Sequence, residues 1–328
     1  MNSQDLIAFF DTSYGTEPWP QPFHILQGLQ KVKAGESVRE AARAVGTTQG
    51  LIKAAEKSAE PAFDILAVRP NDLTDEDLQK AAKILGGLVL GQAAEAAFED
   101  IYREEMGEDV DFQLVDLREG RTDTDYRVLN GRGRQIYRLN IKFFGSIFRR
   151  GAELVGLEPE DCFPLATYKI LSALEKQNNE HLPFVFTVVG VPDLTALSLQ
   201  EHFAPDDIRI IALISKSRRV SGKRSFEEKI VKRLVDEGSK AYTEAYGRIR
   251  SAEWYVLSAR KAHDMLRTMF IERVYALRVR NFAQAFKRAE VDMHFSLKND
   301  LANLRELFRI LKEEGPMKTA SLLERGTL

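Results

Sequence analysis

The feature that constrains this chain most is a change of hydrophobic period near residue 111. Beyond it, "DFQLVDL", "TDYRVL" and "QIYRLNIKFF" alternate apolar and polar residues, the pattern of half-buried strands. "NGRG" separates the second run from the third, and Asn130-Gly131 suits the positive φ of a hairpin turn. "PEDCFPLATYKILSALEKQ" reads as a helix with Phe163, Leu165, Ala166, Ile170, Leu171 and Leu174 inward. "LPFVFTVVGV" is nearly all apolar, as for a strand buried on both faces, and "IRIIALI" reads as another strand. Before the hairpin stands a long helical stretch, broken or kinked near Gly86-Gly87. The predicted order is therefore helix, three meandering strands, helix, strand, strand. That is an α/β fold, a mixed central sheet flanked by helices over 73–215. Helical regions are expected on either side, at 1–72 and 216–328.

With 328 residues, 44% hydrophobic and 29% charged, the chain has material for more than one folding unit and is not of disordered composition. No apolar run has the length of a membrane span, and the first residues lack the pattern of a secretory signal, so a cytoplasmic protein without a membrane partner is expected. The single cysteine, Cys162, excludes an internal disulfide and a multi-cysteine zinc site. The five histidines show no ligand spacing, and "SGKRS" lacks the glycine set of a phosphate-binding loop. The net charge of −2 hides segregation: 72–119 carries 14 acidic residues against four basic ones, whereas 216–233 carries eight basic residues against two acidic. A second run of eight basic residues occupies 260–288. Charge sorted in this way suits a protein with a basic binding face.

Two stretches carry chemistry. In "SVREAARAVGTTQGLIKAAEKS", Ser37 caps a short helix through Val45, Gly46 supplies a turn, and a second helix runs from about Thr48. Ala42 before the turn and Ile52 after it let two helices cross closely, so the segment is similar to a helix-turn-helix of the DNA-binding kind. Its contacts to DNA are expected from Arg43, Thr48, Gln49 and Lys53, with Arg218, Arg219, Lys223 and Arg224 of the basic segment. Gly50, inside the second helix, departs from that pattern.

The other stretch is the hairpin over 122–146. On its last strand Tyr137, Leu139, Ile141 and Phe143 point to the core, and Arg138, Asn140 and Lys142 point the other way. A loop of 130–133 sets Leu129 opposite Arg134, which places Asp123 across from Asn140 and Asp125 across from Arg138. Either aspartate then reaches a metal ion near Asn140, according to register.

Asp125 with Asp123, then Asn140-x-Lys142, with Glu95 on the preceding helix, resembles the PD-(D/E)xK, restriction-endonuclease-like nuclease superfamily. The resemblance covers about 90–190. It implies Asp125 as the principal metal ligand, Lys142 as the catalytic lysine and Glu95 as a further acid, with Asp123 in support. The catalytic set is thus Asp125, Asn140, Lys142 and Glu95, and the cofactor Mg²⁺ or Mn²⁺. The family's second carboxylate falls on Asn140, which brings no charge; Glu153 is a candidate replacement. The implied activity is Mg²⁺-dependent DNA endonuclease of a restriction or phage-defence kind, acting as a homodimer on DNA. The alternative is a non-catalytic DNA-binding regulator or assembly component with a degenerate nuclease fold.

Overall fold

The computed structural model describes residues 1–107, 111–118, 124–217, 223–276 and 291–328. Five short helices come first: α1 (Ser3–Tyr14), α2 (His24–Lys33), α3 (Val38–Ala44), α4 (Gln49–Glu56) and α5 (Pro61–Leu66). The starts of α1, α3 and α4 are set by side chains that take up orphan amides. Asn2 with Asp5, and Ser37 with Glu40, close reciprocal capping boxes. The Thr48 hydroxyl accepts from the Leu51 N–H at 3.3 Å. Gly46, at φ 69°, makes the turn between α3 and α4 where the spacing predicts it. Behind the turn Leu29, Ala41, Ala42, Ile52 and Ala55 form one small core.

Helix α6 (Asp75–Met106) follows and is continuous. The break expected at Gly86-Gly87 does not occur. A Cβ on Gly86 would stand 2.3 Å from the Ala196 carbonyl oxygen, so this glycine marks backbone brought against a helix. A glycine inside a helix costs only ~1 kcal/mol relative to alanine, too little to end it.

The remaining elements are β1 (Phe112–Asp116), β2 (Tyr126–Asn130), β3 (Gln135–Phe144), α7 (Arg149–Val155), β4 (Cys162–Ala166), α8 (Thr167–Glu180) and β5 (Phe184–Gly190). Then come α9 (Pro205–Lys216), α10 (Lys223–Asp236), α11 (Lys240–Ser251), β6 (Trp254–Ser258), α12 (Ala259–Thr268), β7 (Val274–Ala276), β8 (Val291–Ser296) and β9 (Ala302–Asn303). Helices Leu304–Glu313 and Pro316–Arg325 close the chain.

Two compact units result, each built from two stretches of chain. One comprises Met1–Gln92 with Thr195–Ala245, and its described residues are helical or loop. The other comprises Ala93–Leu194 with Tyr246–Leu328 and holds both sheets. Its main sheet has the order β1-β2-β3-β5-β6-β9. Strands β1 to β3 form an antiparallel meander, β5 returns parallel to β3, and β6 is antiparallel to β5. A small antiparallel sheet, β4-β8-β7, packs with α8 and α12 over one face, around Phe144, Phe163, Ile170, Phe186, Leu257 and Phe295. The 93–106 part of α6 covers the other face, where Phe98 meets Tyr126 and Trp254. The architecture is mixed α/β with flanking helices, as the period change predicts.

Three local expectations are corrected. "IRIIALI" lies in helix α9, because Pro205 at its first turn and Asp206 and Asp207 beside it are helix-start residues; a short apolar run does not reveal its own period. The segment expected as one helix from "PEDCF" begins instead as strand β4 and turns helical at Thr167. The region after 216 is not all helical, since β6, β7 and β8 interrupt it; "WYVL" is aromatic and β-branched and pairs with β5.

The two glycines of α6 separate packing from propensity. Gly86→Ala should lower stability by about 2 kcal/mol or more, since backbone has to move. Gly87→Ala meets nothing within 4 Å and should raise it by up to about 1 kcal/mol. Urea unfolding of both variants checks this, and similar shifts for the two would refute the close approach.

Candidate functional site

Register decides which carboxylate meets Asn140. The Asn130 side-chain oxygen accepts from the N–H groups of Arg132 (3.0 Å) and Arg134 (2.9 Å), tightening the loop. Positive φ falls on Gly133, at 71°, rather than on Asn130-Gly131. The β2–β3 ladder then shifts between Val128 and Leu129. Leu129 faces Gln135 instead of Arg134, and Tyr126 faces Leu139. One step further along, Asp125 stands opposite Asn140. The expected pairings of Asp123 with Asn140 and of Asp125 with Arg138 are therefore displaced by two residues, one from the longer loop that sets Leu129 against Gln135 and one from the bulge, which alternation cannot reveal. Asp123 itself lies outside the described residues.

Asp125 sits where β2 ends and β3 runs on. Its N–H donates to the Leu139 carbonyl at 3.1 Å, and its Oδ2 accepts from the Ile141 N–H at 2.6 Å. The carboxylate thus serves an amide that the shorter strand no longer reaches. Burial pushes the Asp125 carboxyl above its ordinary range, opposed by the Ile141 hydrogen bond and by the fields of Lys142 and Arg118. Lys142 is half-buried, with Nζ 3.3 Å from the Ile141 carbonyl.

Glu95, from α6, lies in the field of Asp125, and burial pushes it upward too. Its carboxylate accepts from Arg118 Nη1 at 2.5 Å. The same guanidinium reaches Glu99 at 2.9 Å and grips Asp116 through Nε at 2.9 Å. It also lies 5.1 Å above the Tyr126 ring, whose hydroxyl donates to Glu99 at 2.6 Å. Burial alone would push Arg118 down, but hydrogen bonds with Asp116 and Glu95 and the surrounding negative charge hold it above its ordinary value. Asp116 is held below the usual carboxylate range by its hydrogen bond with Arg118. Arg118, Asp116 and Glu99 are absent from the set of residues expected from sequence. The one signal available was a lone arginine closing an acidic segment.

Arg138, Asn140 and Lys142 do share a face, as alternation requires, but at Arg138 and Asn140 that face is closed to water. Arg138 is 3% exposed and Asn140 8%, under α8, and Arg138 pairs with Glu180 of that helix. Glu153 is exposed on α7. In the other unit, Arg43, Thr48, Gln49 and Lys53 are all exposed on or beside α3 and α4, although the Thr48 hydroxyl is engaged as a helix cap. Arg218 and Arg219 lie outside the described residues. Lys223 and Arg224 open α10, their side chains also outside them.

Among the described residues, no three His, Cys, Asp or Glu side chains gather as a ready metal site. The donor chemistry of Asp125 and Glu95, two carboxylates in one another's field, nonetheless fits a hard divalent cation, whereas Asn140 lies on the α8 face of the sheet. Both carboxylates are half-buried and pushed upward by that burial, a shift that a bound cation would reverse. Arg118 holds Glu95 meanwhile, so a cation and the guanidinium compete for it.

Removing that guanidinium tests the cluster. Arg118→Ala should cost about 1–3 kcal/mol at pH 7, where Glu95, Glu99 and Asp116 are left facing one another. Asp116, depressed in the folded state, contributes stability above its unfolded pKa and loses it as pH falls. The gap between wild type and variant in urea midpoints should therefore narrow at pH 4; an equal gap at both values would exclude the charge network as its source. No family model, no curated protein and no solved structure matches this chain.

Proposed function

We propose that the Asp125–Asn140–Lys142 site, with Glu95, hydrolyses phosphodiester bonds, and that the protein is a DNA endonuclease of the PD-(D/E)xK, restriction-endonuclease-like kind. The observation that carries this reading is Asp125 opposite Asn140 at the point where β2 and β3 part, with Lys142 two residues along and Glu95 in the same field. The element order supports it: helix, antiparallel three-strand meander, helix and parallel strand follow in the order the resemblance implies, with α7 and β4 inserted between β3 and α8.

Asp125 and Glu95 would hold Mg²⁺ or Mn²⁺. When bound, such an ion supplies a Lewis acid for a phosphoryl oxygen and lowers the pKa of water. Lys142 sets a positive charge beside the phosphate and orients the attacking water. Asp125, fixed through the Ile141 amide, is pre-oriented toward the same point. DNA would be held by the exposed side chains of α3 and α4 and by the 216–233 segment, and cleavage of two strands would call for a homodimer.

A second reading has its own support. Asn140 withholds one carboxylate and Arg118 already neutralises Glu95, which favours a DNA-binding protein that no longer cuts. Plasmid cleavage with Mg²⁺ or Mn²⁺ separates the two. The endonuclease reading expects cleavage that falls about a hundredfold or more in Asp125→Ala and in Lys142→Ala. Salt-sensitive DNA binding without cleavage in either metal would leave only the second reading.

A further inference from the structure

A cavity of about 200 Å³ lies between β3, β5 and α8, on the Lys142 side of the sheet. Its wall on α8 is one helical face: Lys169, Ser172, Ala173 and Lys176 stand at i, i+3, i+4 and i+7. Opposite them are Asn140 and Lys142, and its floor is Phe184 and Phe186, paired in register with Arg138 and Asn140. Tyr168 lines it too. Three lysines and no carboxylate are among the described residues lining it. Acids stand around it: Asp125 lies opposite Asn140 in the field of Lys142, Glu180 pairs with Arg127 and Arg138, and Asp292 lies in the field of Lys169.

We infer that this cavity is a binding site for a phosphate monoester. Three ammonium groups match the charge of about −1.5 to −2 that a phosphate monoester carries at pH 7, whereas an internal phosphodiester carries one negative charge. Ser172 and Tyr168 add hydroxyl donors for its oxygens. The volume is below the roughly 300–1,000 Å³ of pockets that enclose drug-sized ligands, so the phosphoryl group enters and the rest of the molecule stays outside. The phenyl floor displaces water from one side and strengthens the charge attraction. Two sources share this chemistry, the phosphorylated end of a polynucleotide and a free mononucleotide. The proposal deepens the reading above, resting on it for nucleic acid as the source and on the cavity for the phosphate.

The test is binding by the full chain in EDTA, so that cleavage plays no part. Fluorescence anisotropy compares one short single-stranded DNA carrying a 5′-phosphate, a 3′-phosphate or hydroxyls at both ends. A phosphorylated form should bind at least about tenfold more tightly than the hydroxyl form. That advantage should vanish in Lys169→Ala/Lys176→Ala, and in Lys169→Glu, whose exposed position leaves folding intact by circular dichroism. Displacement by 2′-deoxyadenosine monophosphate would identify a free nucleotide as the source, and resistance to it a polynucleotide end. Equal binding of all three DNAs with no displacement by the mononucleotide or inorganic phosphate overturns the proposal, as does an advantage that survives both variants. Phosphate-dependent binding without cleavage would sink the endonuclease and leave this site standing; cleavage without any phosphate preference would do the reverse.

Discussion

Strand β3 runs past the end of β2, and the amide this leaves at Ile141 is taken by the Asp125 carboxylate. Much of the second unit's chemistry depends on that substitution of a side chain for a ladder partner. A backbone donor buried at a strand junction has to be satisfied, and here an acid satisfies it. The result fixes Asp125 in place and keeps it partly dehydrated. Beside it β3 continues against parallel β5, which holds Asn140 and Lys142 in line with Phe186 and Val188. The long strand is thus both the spine of the sheet and the support of the site.

Charge is arranged on the two sides of this spine in opposite senses. On the α6 side, Glu95, Glu99 and Asp116 surround one guanidinium, so three carboxylates share a single positive charge. On the α8 side the cavity wall is basic, and the acid at the helix end is already paired with two arginines. Asp125 stands between these environments and feels both, through Arg118 and Asp116 on one hand and Lys142 on the other. Under the proposed function, a phosphate drawn by the lysines would approach the carboxylates proposed to hold the cation, which is the polarity phosphoryl chemistry needs.

How much of this was readable beforehand follows from which interactions are local. The cap at Ser37, the turn at Gly46, the helix start near Thr48 and the alternation of β1 to β3 rest on neighbours within a few residues, and each appears where the sequence places it. The strand β5 was legible from its unbroken apolar run. By contrast "IRIIALI" and "WYVL" exchanged roles, because an apolar run of that length fits either period and only its pairing partner decides. Gly86 misled for a related reason: it reads as a breaker, and its purpose is a contact with Ala196, far along the chain.

The site divides along the same line. Asp125, Asn140 and Lys142 were singled out by residue type and phase alone, since alternation along a strand is a local rule. Which aspartate faces Asn140 was not, because one residue more in the loop and one in the β-bulge together shift the register by two without a mark in the pattern. Nor was Arg118, whose three acids come from α6 and β1, or the pairing of α8 lysines with Lys142 across a cavity. By itself the sequence determined the mixed α/β character, the short capped helices and the polar stripe of β3, all consequences of spacing. Only the tertiary structure decided the register, the burial of that stripe and the gathering of charge around it, because those depend on segments that meet only when the chain folds.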